Sequence, residues 1–151
     1  MKLNQFTDLG LRTLIYLTQP QRASPFTISE MAQRLNISKN HLVKVVHFMA
    51  RMNWVTTTRG KGGGVVLAKA PSEYRLGSVI RQLEEHVDQS HSLVNCDSPY
   101  CVLNPVCKLK SLLHDALNVF FDYLEQYTLA DAVRNPALLT ELQLIDVVRL
   151  E

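Results

Sequence analysis

The chain contains three cysteines, and all of them lie within twelve residues. Cys96, Cys101 and Cys107 are separated by four and five residues, with Pro99 and Pro105 between them. Such spacings allow three thiolates to converge on one centre, and the prolines lower the entropy cost of that convergence. An odd cysteine count is poorly suited to a disulfide framework, so the cysteines predict metal binding or redox chemistry.

The spacing of the cysteines favours one kind of centre over two others. Zinc fingers favour paired spacings such as C-x2-C, and a thioredoxin-like redox site needs the same motif, which does not occur in this sequence. Iron-sulfur clusters accept thiolates at more varied spacing, and their fourth ligand can be another residue type. An iron-sulfur cluster, 2Fe-2S or 4Fe-4S, is therefore the preferred interpretation, with zinc and reactive or structural thiols as the alternatives.

The distribution of charge is the second chemical feature. Residues 1–70 contain ten Lys or Arg against two acids, Asp8 and Glu30, which gives a net charge of +8. Residues 71–151 contain six Lys or Arg against twelve acids, a net charge of −6, so the total of +2 conceals a basic half. Clustered cations indicate a polyanionic partner such as nucleic acid or an anionic membrane, and a solvated surface is the alternative.

Length and composition limit the class of protein. A chain of 151 residues that is 46% hydrophobic and 20% charged can bury a core, which excludes global disorder. No apolar run approaches the roughly 18 to 20 residues that a bilayer span needs, and the N-terminus lacks the apolar centre of a signal peptide. We therefore expect a soluble cytoplasmic protein with no membrane partner.

Leucine and isoleucine recur at helical spacing near the start of the chain. This periodicity predicts a first helix over residues 7–18, where Thr7 offers a capping oxygen and Asp8 an acid suited to the positive helix end. The prolines of residues 19–25 predict a loop after it.

Two further helices joined by a tight turn are predicted next. Thr27 and Glu30 fit a capping box, which predicts a short second helix. Asn36 tolerates the left-handed conformation of a tight turn, and Ser38 offers an N-cap for a third helix that ends near Met52. The pattern is typical of a helix-turn-helix whose second helix is exposed for docking on DNA, and an ordinary helical hairpin is the alternative.

A glycine-rich hairpin follows the third helix. Residues 54–58 and 65–67 are strand-like, and residues 59–64 form a turn with Arg59 and Lys61 at its tip. A helix-turn-helix followed by such a hairpin is a winged helix, so the predicted fold is mainly α. A nucleotide-binding loop is discounted because Lys61 precedes Gly62 rather than Ser or Thr.

The acidic half is organised around a predicted long helix. A short helix around residues 76–83 and a polar linker over residues 84–90 precede the cysteine loop. Residues 108–127 then form an amphipathic pattern whose wide apolar face indicates homodimerisation, with an intrachain core helix as the alternative. The predicted organisation is a DNA-binding domain over 1–84, a linker and cluster-binding loop over 85–107, and a C-terminal dimerisation helix and tail over 108–151.

In combination, several segments resemble the Rrf-type family of winged-helix transcriptional regulators. The resemblance spans nearly the whole chain and rests on FTDLGLR (6–12), ISKNHLVK (37–44), RGKGGG (59–64), LVNC (93–96) with its two following cysteines, and YTLAD (127–131). It implies a homodimeric transcriptional repressor that binds double-stranded operator DNA and carries an iron-sulfur cluster on the three cysteines.

The resemblance also implies a fourth ligand and a signal. One branch of the family has a histidine three residues after the third cysteine, where this chain has Lys110. The nitric-oxide-sensing branch uses an aspartate in the first helix of the other subunit, and Asp8 matches it. Nitric oxide would then release the DNA and derepress genes for nitric-oxide detoxification.

The same fold implies which side chains face DNA. The expected contacts come from the third helix and the wing, and they are Ser38, Lys39, Asn40, His41, Lys44, Arg59, Lys61, Gly62 and Gly63. His47, His91 and His114 carry weaker signals, the last two as alternative metal ligands. A regulator that responds to cluster status or redox state is the alternative function, and a thiol enzyme is disfavoured because no Cys-His-Asn order accompanies the cysteines.

Overall fold

The computed structural model describes residues 2–19, 25–88, 92–97 and 99–135. The predicted C-terminal tail, His91 and most of the predicted loop at residues 19–25 lie outside these ranges. The elements in chain order are α1 (Gln5–Leu17), α2 (Ile28–Arg34), α3 (Lys39–Arg51), β1 (Val55–Thr58), β2 (Gly64–Leu67), a 3-10 turn (Pro71–Glu73), α4 (Leu76–Val87), α5 (Leu109–Leu124) and α6 (Leu129–Ala132). Within the described ranges no helix is both long and apolar enough to cross a membrane.

The starts of the first two helices are set by side-chain caps. The predicted start of α1 at Thr7 is wrong, because the Asn4 side chain accepts a 2.8 Å hydrogen bond from the Thr7 N–H and the helix begins at Gln5. The capping box before α2 is confirmed: the Thr27 hydroxyl accepts from the Glu30 N–H, and the Glu30 carboxylate accepts from the Thr27 N–H.

The ends of α2 and α3 share one termination motif. Asn36 has φ 52° and Asn53 has φ 56°, so both occupy the left-handed region that asparagine tolerates. The N–H of Ile37 donates to the Ala32 carbonyl, and the N–H of Trp54 donates to the Met49 carbonyl, both at 2.9 Å. These six-to-one bonds are those of a Schellman motif, which fixes the directions in which the chain leaves each helix.

One apolar core joins the first three helices, the hairpin and α4. Its fully buried side chains include Leu14, Met31, Leu42, Met49 and Leu83. The two strands pair antiparallel with Val55 opposite Leu67, and Phe26 adds an isolated bridge to Val65 at the edge of β2. The helix-turn-helix and the hairpin after it confirm the predicted winged-helix architecture.

Helices α4 and α5 form an antiparallel helical hairpin with the cysteine loop at its tip. The predicted polar linker is wrong at its beginning, because α4 continues to Val87. Its polar residue Glu84 is used in packing, since the carboxylate accepts a 3.0 Å hydrogen bond from the Asn4 N–H. A second apolar cluster of Ile80, Leu117 and Phe121 holds the two helices together.

The open end of this helical hairpin is tied to the winged helix. The Leu76 N–H donates to the Tyr127 carbonyl and the Leu129 N–H donates to the Tyr74 carbonyl, both at 2.9 Å. The Glu125 carboxylate accepts from the Ser78 N–H at 2.6 Å, so α5 supplies the cap for α4. The end of α5 is therefore part of the same folded unit as the wing.

Candidate nucleic-acid interface and cysteine loop

The third helix has one side buried in the core and another side exposed to solvent. Leu42, Val45 and Met49 are fully buried and fix its rotation. The five residues of this segment that were predicted to contact DNA are all exposed, namely Ser38, Lys39, Asn40, His41 and Lys44. Ser38 occupies the N-cap position but makes no capping hydrogen bond with its side chain, contrary to its predicted capping role.

A groove of about 500 Å³ runs between α3 and the wing. From α3 it is lined by Lys39, Val43 and His47, which are spaced four residues apart and therefore share one face. Thr57, Thr58 and Arg59 line it from the wing. Cationic and hydroxyl side chains on both walls are the groups that contact phosphates in DNA complexes.

A smaller notch of about 210 Å³ lies on the other side of α3. It is lined by Gln5, Phe6 and Leu9 of α1 and by His41, Lys44 and Val45 of α3. The predicted DNA-contacting residues of α3 are thus divided between two flanks: Lys39 faces the wing, whereas His41 and Lys44 face α1.

The turn of the wing requires its glycines. Gly60 and Gly62 have φ values of 95° and 80°, a region that side chains other than glycine rarely adopt. Gly63 has a different reason, because a Cβ atom there would collide with the backbone of Thr58. Arg59 and Lys61 are exposed at this tip and form no ion pair within the described part of the chain.

A buried tyrosine anchors the root of the wing. The Tyr74 hydroxyl donates to the Trp54 carbonyl at 2.6 Å and accepts from the Lys69 N–H at 3.0 Å. Burial raises the pKa of Tyr74 above its ordinary value. Both strands of the hairpin are thereby held at their root by one side chain.

The cysteine loop is a series of turns leading into α5. The Cys101 N–H donates to the Cys96 carbonyl at 3.0 Å, so these two residues lie side by side. The Cys107 Sγ accepts from the Leu109 N–H at 3.4 Å, which places that sulfur at the positive end of α5. Cys96 and Cys101 are half-buried, Cys107 is exposed, and all three are free thiols.

The donor set of this loop suits an iron-sulfur cluster by its chemistry, since thiolates are the usual ligands. In a single chain, however, the described side chains do not surround one metal position. Within residues 2–19, 25–88, 92–97 and 99–135, no three Cys, His, Asp or Glu side chains are close enough to hold a metal ion.

Asp8 lies on the first turn of α1 and is 47% exposed. Its carboxylate forms a two-point ion pair with Arg12, with Oδ2 to Nη2 at 2.9 Å and Oδ1 to Nε at 3.0 Å. The side chain does not cap its helix, which Asn4 does. Asp8 is therefore an accessible carboxylate that already has a partner cation.

The remaining candidate ligands have other environments. Lys110 lies 3.9 Å from Asp97, so the position that carries histidine in another family branch forms an exposed ion pair next to Cys96. His114 is exposed on α5. His86, near the end of α4, contacts Phe6 and Phe48 with tilted rings whose centroids are 4.8 and 4.6 Å from its own.

Most residues that line the groove were not among the predicted DNA contacts, and they include Val43, His47, Thr57 and Thr58. The four-residue spacing of Lys39, Val43 and His47 was a usable signal for α3, because such residues lie on one helix face. No comparable local signal marks the threonines, since only the packing of the hairpin on α3 shows which of them line the groove.

Comparison with known proteins identifies a family and several solved structures that this chain resembles. Residues 3–135 match the Rrf2 family, described as an iron-dependent transcriptional regulator. CymR of B. subtilis, called its global cysteine regulator, is 25% identical and has a TM-score of 0.67, with 89% of this chain and 97% of that chain covered. IscR of T. potens has a TM-score of 0.67 at 22% identity, covering 89% and 87% of the two chains.

A third structure, the oxidised form of CymR from Staphylococcus aureus, has a TM-score of 0.66 at 21% identity and covers 89% of this chain and 98% of that one. Members of the Rrf2 family are transcriptional regulators that bind DNA and form dimers, and they are not enzymes. The match over residues 3–135, together with the winged helix and the helical hairpin after it, shows that the chain belongs to the Rrf2 family of transcriptional regulators.

Proposed function

We propose that this protein is a homodimeric, iron-sulfur-containing repressor that responds to nitric oxide, similar to NsrR. Two features of the chain support the proposal together. Asp8 is an accessible carboxylate on the first helix, and the three-cysteine loop does not by itself form a metal site among the described residues. A ligand from a second subunit would complete that site. The groove between α3 and the wing supplies the surface for operator DNA.

The DNA contacts would be shared between two elements. Lys39, Asn40 and Lys44 project from α3, whose width suits the major groove. Arg59 and Lys61 project from the wing, where Gly62 and Gly63 keep the backbone bare enough to approach phosphates. Lys44→Ala and Lys61→Ala are each expected to make the salt dependence of binding shallower by about one unit. An unchanged slope removes that residue from the phosphate contacts.

The second subunit would dock on the outer face of α5. Leu109, Leu112, Ala116, Val119 and Tyr123 follow a strict three-four spacing and are all exposed. The inner face of the same helix, around Leu117 and Phe121, is already covered by α4. An exposed, mainly apolar stripe with heptad spacing is the pattern of a helix that pairs with a copy of itself.

The dimer surface can be tested on this stripe. Leu112→Glu places a charge in the centre of the seam and is expected to yield monomers in light scattering. Ser111→Glu adds the same charge one residue away, at an exposed position off the stripe, and should leave the dimer intact. Dimers that persist in Leu112→Glu would contradict α5 pairing.

The proposed cluster site joins the two subunits. Cys96, Cys101 and Cys107 would hold the cluster with Asp8 of the partner subunit as fourth ligand. When bound, the cluster supplies an iron that a small π-acceptor ligand such as nitric oxide can reach. A carboxylate oxygen is a more exchangeable ligand than a thiolate, so Asp8 would be the most weakly held of the four proposed ligands.

Arg12 is the cation that would stabilise Asp8 when it is not a ligand. The Arg12 guanidinium lies within 3.0 Å of the Asp8 carboxylate, so the carboxylate would form this ion pair in place of its bond to the cluster. Helix α1 packs in the same core as α3. Because Asp8 would connect α1 of one subunit to the cysteine loop of the other, loss of that ligand would let the two α3 helices change their separation, which must match half-sites about 34 to 36 Å apart.

The experiment that tests the sensor uses protein purified without oxygen. Wild type is expected to be coloured and to lose operator binding when nitric oxide is added. Cys96→Ala should lose both the colour and the response, whereas Asp115→Ala, a carboxylate change on exposed α5, should keep both. A Cys96→Ala variant that retains both properties excludes the sensor.

A regulator of cluster status or redox state is the second candidate. The observation that favours it is that all three cysteines are free thiols, with Cys107 exposed. Comparing nitric oxide, hydrogen peroxide and an iron chelator as agents that release DNA separates the two functions. Release by peroxide or chelator at lower exposure than nitric oxide would assign the second.

A further inference from the structure

The outward side of α3 has one apolar interruption. Val43 is 44% exposed, while every other large apolar side chain of this fully described helix is buried. Its neighbours along the same face, Lys39 and His47, are polar and exposed. Valine is also a poorer helix former than lysine or alanine because its branched side chain loses rotamer freedom. Val43 thus carries a helix cost without the return of burial.

The surroundings of Val43 point to a ligand with its own apolar group. Val43 lines the groove together with Thr57, Thr58 and Arg59 of the wing. These cationic and hydroxyl groups suit phosphates and base edges, whereas a valine can donate or accept no hydrogen bond. In the major groove of DNA, the apolar group displayed by the base edges is the C5-methyl of thymine.

We propose that Val43 is a specificity-determining residue that contacts a thymine methyl group in each half-site of the operator. The inference rests on the proposed DNA-binding function and names the base that one residue reads. Lys39 and Arg59, on the two walls of the same groove, would hold the strand by its phosphates while Val43 packs on the methyl group. The contact discriminates thymine from the three other bases through dispersion and burial alone.

The test removes the methyl group from the DNA and the side chain from the protein. Duplexes bound by the full-length protein are first enriched from a random-sequence library. Each thymine of the enriched site is then replaced in turn by deoxyuridine, which lacks only the methyl group. At one position of each half-site, binding is expected to weaken about fourfold, the effect of burying one methyl group.

Val43→Ala should show the same loss on the thymine duplex and no further loss on the deoxyuridine duplex. Val43→Thr keeps the shape of valine but replaces a methyl with a hydroxyl. Its affinity for the thymine duplex should lie between those of wild type and Val43→Ala, so it serves as a second variant. Val66→Ala is the matched control, because Val66 is 42% exposed and stands opposite Thr56, on the face of the hairpin away from the groove. Val66→Ala should lose as much affinity as wild type does when the thymine is replaced by deoxyuridine.

Two outcomes overturn the inference alone. Enriched sites without any methyl-sensitive position, or a methyl effect that persists unchanged in Val43→Ala, would show that Val43 reads no thymine even though the protein binds specific DNA. Failure to enrich any duplex has a different meaning, because it removes sequence-specific DNA binding and with it the proposed function.

Discussion

The winged helix and the cysteine loop differ in where they place their apolar side chains. In the winged helix, Leu42, Val45 and Met49 are fully buried, and both helices of the helix-turn-helix end in hydrogen-bonded caps. In the cysteine loop, Val102 and Val106 are exposed, the latter at 83%. The reading surface is complete within one chain, whereas the loop leaves apolar surface uncovered.

This difference indicates that the order of the cysteine loop depends on bound ligands more than the order of the winged helix does. A segment with few buried contacts opens at low free energy, and a ligand that binds only its ordered form stabilises it. We therefore expect that the proposed metal centre and second subunit would change the loop strongly and the winged helix little. Four predictions for the metal-free protein test this contrast.

The largest effect is expected for Leu42→Ala in the winged helix. Removing a fully buried leucine leaves a cavity and should lower the free energy of unfolding by about 3 kcal/mol. Val106→Ala truncates an exposed side chain and should change it by less than about 0.5 kcal/mol. Urea denaturation followed by circular dichroism measures both, and equal effects would abolish the contrast.

A smaller effect is expected for Tyr74→Phe at the root of the wing. The change leaves the Lys69 N–H without its acceptor and removes one of the two hydrogen bonds to the Trp54 carbonyl, which keeps the bond from the Ala68 N–H, at a cost of about 1 to 2 kcal/mol. The pKa of Tyr74 is raised by burial, so its contribution is complete below the unfolded value near 10 and is lost as the pH rises through the folded value. Stability curves of wild type and Tyr74→Phe should converge at high pH; a gap that stays constant there would contradict this role.

A still smaller loss is expected for Asn36→Ala in the turn of the helix-turn-helix. Alanine at φ 52° should cost about 1 kcal/mol, whereas Asn36→Gly should be nearly neutral because glycine adopts this region freely. Thermal unfolding of the two variants provides the measurement. Asn53 has φ 56°, so the same pair of changes there should give the same order of stability. Equal stability of the alanine and glycine variants at both positions would contradict the prediction.

The smallest effect is expected for Asp97→Asn in the cysteine loop. Its ion pair with Lys110 spans 3.9 Å between exposed side chains, so its loss should alter the free energy of unfolding by less than about 0.5 kcal/mol. A loss above 1 kcal/mol would show that the loop is ordered by its own contacts. Chemical denaturation at low and high salt distinguishes the two cases.

Much of the winged helix could be predicted from the sequence because the signals that determine its helix ends are local. Thr27 and Glu30 are three residues apart and satisfy each other, and Asn36 occupies the left-handed turn that its residue type favours. The start of α1 was misplaced because Asn4, Thr7 and Asp8 are all residue types found at helix starts. Only the hydrogen bond from Thr7 to Asn4 decides among them.

The rest required contacts between distant parts of the chain. Glu84 resembles the start of a polar linker until its bond to the Asn4 N–H, eighty residues away, shows why α4 continues. The groove residues Thr57 and Thr58 became identifiable only once the hairpin was packed on α3. In the proposed site, the arrangement of the three cysteines around a metal would depend on a second chain and a ligand, which no spacing within one chain specifies.

The closed base of the helical hairpin has a consequence for how this fold can diversify. The bond between the Leu76 N–H and the Tyr127 carbonyl joins the two ends of an excursion of about fifty residues, and the Glu125 cap reinforces the closure. Lengthening a loop between fixed ends costs little free energy. The loop at the tip can therefore change in length and sequence while the frame that holds the wing stays in register, so one winged helix can be combined with different loops at this position.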